Sequence, residues 1–297
     1  LPIKKDGSQS AISDFKEFSM INPWKFAGYV GFTKKEVQTL CEKHGCDFAM
    51  MKQWYDGYTL TEDTSVYNPN SVMEAVRYHS CRSYWTETSA SKNLMDYISM
   101  DFDGLSKTIA ELLGGIEVPV DTNGFANDLV TFQNKDDILT LLIHLGYLGY
   151  DFEKEEAFIP NREIVEEFEN AMSVGGWPEV MRVLKESEEL LAATLSGDGE
   201  RVARGLDRAH TEVASILTYN DENSLGSAIG LVYYSARKDY RLIRELPTGK
   251  GFADVVFLPL PSTGKPALVV ELKYNKTVDT ALRQIRNRHY TRALERV

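Results

Sequence analysis

Cysteine is scarce in this chain of 297 residues: Cys41, Cys46 and Cys81 are the only three. That excludes a disulfide framework and fits a reducing cytoplasm. Long apolar runs are also missing. None approaches the ~18 residues that a membrane span needs, and no secretory signal opens the chain. Net positive charge is absent too. The formal charge of −11 argues against a protein that coats nucleic acid without sequence preference. No phosphate loop of the form G-x-x-x-x-G-K-[ST] occurs, and Gly114-Gly115 has no Lys-Ser or Lys-Thr behind it, so ATP binding is not expected. Cys41-x-x-His44-x-Cys46 lacks a second Cys/His pair at zinc-finger spacing and reads as surface or core thiols. The first residue is Leu1 rather than Met, and a fragment or processed product is expected.

What is present centres on residues 251–273, GFADVVFLPLPSTGKPALVVELK. Two apolar runs, 252–258 and 267–272, are rich in Val, Leu and Phe and bounded by Gly and Pro, which predicts two β-strands. Asp254 interrupts the first, and Glu271-Leu272-Lys273 ends the second. Side chains alternate along a strand, so Glu271 and Lys273 share one face and Leu272 takes the other. An Asp, a Glu and a Lys at the end of a buried hairpin are unfavourable unless paired or holding a metal.

The length predicts two or three domains. Residues 1–110 read as mainly helical. Thr33 and Glu36 form a capping-box pattern ahead of a helix at about 33–44. Trp54-Tyr55-Asp56-Gly57-Tyr58 predicts a tight turn, and Pro69 and Ser71 launch another helix. In 111–200, the run 138–148 reads as a buried helix in which His144 is a packing residue. Residues 147–160 form a hairpin with an acidic turn, and Asn161 starts a helix over 164–172. This order is winged-helix-like, with a domain boundary expected at 196–199. Residues 201–297 give a helix starting at Asn220-Asp221-Glu222, three strands, and an amphipathic helix over 278–295 with Val278, Leu282, Ile285 and Ala293 inward. The fold class expected is therefore α+β or α/β. From Glu271 to Val297 seven basic residues face three acidic ones, a local surplus of +4 compatible with a phosphodiester ligand and equally with a solvated helix face.

Asp254 followed by Glu271-Leu272-Lys273 resembles the PD-(D/E)XK nuclease superfamily. GFTKKEV, WYDGY, VYNPNSV and YWTETS, in that order, look like the end of the AAA-ATPase-like module that precedes such a domain in a family of prokaryotic proteins. The resemblance covers roughly 15–105 and 210–297. It implies an αβββα(β) restriction-endonuclease-like core at 201–297, with the last strand beyond Val297, a helical lid-like segment at 1–110 and a nucleotide-binding core before Leu1. It also implies a metal-dependent nuclease acting on DNA in preference to RNA. Asp254 and Glu271 would hold Mg²⁺ or Mn²⁺, helped by the Leu272 carbonyl, with Lys273, the helix acid Glu222 and the helix glutamine Gln284 as catalytic groups. Arg288, i+4 from Gln284, and Tyr290 would meet the substrate. The partners expected are nucleic acid and a protein partner or the ATPase core, with no membrane. The alternative is a non-catalytic module that binds nucleic acid or protein and regulates the ATPase.

Overall fold

The computed structural model describes residues 18–61, 64–85, 94, 96–98, 104–125, 132–175, 178–213, 222–247, 252–260, 263–273, 277–287 and 290; the side chains of 173–175, 178–181, 210, 212–213, 222–224 and 227 are outside that description. The chain is mixed α+β. It divides into two compact units, Leu1–Leu112 with Glu117–Gly176, and Leu113–Ile116 with Trp177–Val297. No described helix is long and apolar enough to cross a membrane.

In the first unit the capping box forms as read. The Thr33 hydroxyl accepts from the Glu36 amide, and the Glu36 carboxylate accepts from the Thr33 amide at 2.8 Å, starting α1 (Lys34–His44). Asp47 caps α2 (Phe48–Tyr55), and Asn68, with Pro69 behind it, caps α3 (Pro69–Tyr78). Short strands β1 (Phe32–Thr33), β2 (Tyr58–Thr61) and β3 (Thr64–Tyr67) make an antiparallel sheet in the order β1-β3-β2. Val37, Met51, Trp54, Tyr55, Tyr67, Val72 and Tyr84 fill the core between these elements.

The rest of this unit is α4 (Leu105–Leu113, its last residue falling in the second unit), β4 (Val118–Pro119), α5 (Lys135–Leu145), β5 (Gly149–Asp151), β6 (Glu156–Phe158) and α6 (Arg162–Gly175). Gly146, at φ 84°, stops α5 in a left-handed cap that glycine adopts freely. His144 stacks on Phe125. The second sheet is antiparallel in the order β4-β6-β5.

The second unit contains α7 (Pro178–Ser196), α8 (Gly199–Val213), α9 (Glu222–Val232), β7 (Tyr240–Pro247), β8 (Phe252–Pro259), β9 (Leu268–Val270) and α10 (Val278–Asn287). Residues 196–199, read as a domain boundary, are instead the tight turn of a helical hairpin. Asp198 caps the Arg201 amide at 3.0 Å, and Arg201 reaches Glu189 on the facing helix at 2.9 Å. Residues 177–200 accordingly pack with the second unit. The three strands form an antiparallel sheet, β7-β8-β9.

Two further expectations need correction. The last strand is shorter than the run 267–272, because the Leu272 amide leaves the ladder and donates to the Asp254 side chain. The apolar stripe of α10 is only partly covered. Ile285 packs on the sheet core, while Val278 and Leu282 are 75% and 44% exposed. Periodicity says which residues share a face, not whether an element lies against it. Ala293 is outside the described residues.

Candidate functional site

The site is built where β8 and β9 run side by side. Val255 pairs with Val270, so one step further along the register sets Asp254 against Glu271. Asp254 Oδ2 accepts the Leu272 amide at 2.7 Å, a charge-assisted bond that fixes the carboxylate against the turning chain. Leu272 itself is buried.

Lys273 bridges the two acids. Its Nζ donates to Glu271 Oε1 at 2.6 Å and lies 3.7 Å from Asp254 Oδ2. The side chain of Glu271 is 0% exposed, Lys273 10% and Asp254 25%, so the ammonium compensates charge in a largely dry setting. The same Nζ donates to the Leu272 carbonyl at 2.7 Å. That carbonyl, read as a third metal oxygen, is therefore committed to Lys273 here.

The other oxygen of Glu271 belongs to Tyr290, whose hydroxyl lies 3.0 Å from Oε2 and 2.7 Å from the Phe252 carbonyl. Gln284 Nε2 donates to the Tyr290 hydroxyl at 3.0 Å. Tyr290 is 1% exposed, which corrects its reading as a substrate contact: the ring is core, packed with Leu246, Ala253 and Val256. Among the described residues Gln284 connects to Glu271 through Tyr290. Glu222 opens α9, with its side chain outside the described residues, and Arg288 lies outside them altogether.

Glu245 is a residue the sequence did not flag. It faces Asp254 across β7 and β8, between the pairs Arg244–Val255 and Leu246–Ala253, and its φ of 50° is left-handed. A non-glycine residue there carries about 1–2 kcal/mol of strain.

Asp254 and Glu271 are hard oxygen donors, and Asp254 Oδ1 has no hydrogen-bond partner among the described residues. Two such carboxylates fit Mg²⁺ or Mn²⁺, which keep several waters of their own. Among the described residues no cluster of three or more His, Cys, Asp and Glu is suited to a metal. Cys46 Sγ lies 3.9 Å from His79 Nδ1, and burial pushes the Cys41 and Cys81 thiols up, away from thiolate.

No protein-family model matches this chain, and no curated protein or solved structure matches it significantly.

Proposed function

We propose that the second unit is a PD-(D/E)XK-type nuclease domain that hydrolyses phosphodiester bonds in nucleic acid. The observation that carries this reading is the convergence of Asp254, Glu271 and Lys273 at one end of adjacent strands, with a single ammonium within 4 Å of both acids. The order of α9, three antiparallel strands and α10 supports an αβββα core, and the β4-β6-β5 sheet among α4, α5 and α6 supports a winged-helix-like element. Asp254 and Glu271 would hold a divalent ion, which when bound would supply charge neutralisation at the phosphate and a more acidic bound water.

The chain's own residues do the rest. Asp254 presents Oδ1 while the Leu272 amide keeps Oδ2 from turning away. Lys273, held beside both acids, would be the group that gives hydrogen bonds to a phosphoryl oxygen. A lysine there, unlike an arginine, could also exchange a proton with a water molecule.

A second reading, a non-cleaving module that regulates an ATPase, draws on one observation: both oxygens of Glu271 are already engaged, by Lys273 and by Tyr290. Calorimetric titration of Mg²⁺ and Mn²⁺ into wild type and Asp254→Ala separates the two. It is followed by assays on plasmid, single-stranded DNA and RNA. Binding and cutting by wild type alone supports the nuclease, and the substrate panel then assigns DNA or RNA. Failure of wild type to bind either ion removes the catalytic reading and leaves the regulatory one.

A further inference from the structure

We propose that Tyr290 is the positioning residue of the site, holding the Glu271 carboxylate in the one orientation that leaves it level with Asp254, and that Gln284 acts only by aiming the Tyr290 hydroxyl. The catalytic meaning of this assignment rests on the nuclease reading above; the hydrogen-bond geometry does not.

A phenol has one proton to give and two lone pairs. Gln284 Nε2 takes up one lone pair at 3.0 Å. The single proton is then shared between two acceptors, the Phe252 carbonyl at 2.7 Å and Glu271 Oε2 at 3.0 Å. The ring cannot swing to favour either, because it is 1% exposed and packed with Leu246, Ala253 and Val256, with Ile243, Val269 and Ile285 at the margin. The hydroxyl is thus a fixed point tied to β8 through Phe252 and to α10 through Gln284.

Glu271, by contrast, has a flexible side chain and stands just past the end of β9. Its carboxylate is pinned from two sides, Lys273 on Oε1 and Tyr290 on Oε2. When the ammonium on Oε1 is exchanged for another cation or drawn to substrate, Tyr290 is the donor that stays. The shared proton then shifts from the Phe252 carbonyl towards Glu271, and no side chain has to move. Partners of this kind, bonded to a metal-binding carboxylate from outside, typically change metal affinity 10–100-fold when removed.

The test uses Tyr290→Phe, which keeps the packed ring and removes only the hydroxyl, and Gln284→Ala, which removes the aiming donor. The first measurement needs no metal: the ¹³C resonance of the Glu271 carboxyl in the metal-free full chain. It is expected to move in Tyr290→Phe and to move less, in the same direction, in Gln284→Ala. The second is Mg²⁺ affinity, expected to fall 10–100-fold in Tyr290→Phe and less than 10-fold in Gln284→Ala. With nucleic acid, kcat falls and KM holds, because substrate does not touch the buried phenol. An unmoved Glu271 resonance in both variants overturns the proposal, as does wild-type Mg²⁺ affinity in Tyr290→Phe. If wild type binds no Mg²⁺, the nuclease reading fails by itself, while the carboxyl resonance still decides whether Tyr290 holds Glu271. Should Tyr290→Phe not fold, Gln284→Ala alone decides by the same resonance.

Discussion

The two units each bury a pair of acids and treat them differently. In the first, Glu163 and Glu167, both 0% exposed, stand one turn apart on α6. Glu163 accepts from the Tyr84 amide at 2.9 Å and Glu167 from the Ser83 hydroxyl at 2.6 Å, both neutral donors. The Oε2 atom of each has no partner among the described residues. In the second, Asp254 and Glu271 share a lysine. Burial pushes the Glu163 and Glu167 carboxyls up, Glu163 to about 7, whereas the acids of the second pair have Lys273 beside them. The first pair ties residues 83 and 84 to α6. The second pair instead shares one ammonium, and the proposed function requires that ammonium to be exchangeable for another cation.

Removing the ammonium breaks this contrast most sharply. Lys273→Met leaves Glu271 buried beside an uncompensated charge. The second unit is expected to lose about 3–5 kcal/mol in urea denaturation near neutral pH. Mg²⁺ should restore part of that loss if the acids can exchange one cation for another; a loss below about 1 kcal/mol would mean that Lys273 does not compensate them.

Next in size is the pH response of the first unit. The Glu163 carboxyl has a higher pKa folded than unfolded, so folding takes up a proton. Its stability is therefore highest at low pH, falls as pH rises from about 4.5 through 7, and levels off above. The full span is about 3 kcal/mol. Urea midpoints for tryptophan fluorescence at pH 5 and pH 8 measure it, and Glu163→Gln, which keeps an acceptor for the Tyr84 amide, should flatten the slope.

The smallest effect concerns Glu245. Glu245→Gly relieves a φ of 50° but loosens the unfolded chain, for a net gain of about 1 kcal/mol or less. Because the Glu245 side chain is exposed, Mg²⁺ affinity should not change. A weakened ion would add a third acid to the second pair and widen the difference between the units.

Much of the candidate site was legible because its signals are local. Asp254 and the Glu-x-Lys spacing lie in strand-like runs, and alternation alone puts Glu271 with Lys273 and turns Leu272 away. The Thr33–Glu36 box was legible for the same reason. Tyr290 was misread, because an aromatic near the end of an amphipathic helix looks the same whether it faces substrate or core; only the Leu246–Val256 packing distinguishes them. Glu163 and Glu167 gave no signal. In R-E-I-V-E-E-F-E-N they pass for the wet face of a helix, since their partners at 83 and 84 are 84 and 79 positions away.

Those separations also set a schedule for synthesis. The Asp56 carbonyl waits for the Asn161 side chain, 105 positions later, and a Cβ at Gly57 would overlap the Pro160 carbonyl, so this closure tolerates no bulk. At about 5–20 residues per second, the ribosome leaves the WYDGY turn without its closing strap for roughly 5–20 s. During that interval the aromatic core of α1, α2 and α3 has its own packing and caps but not that strap.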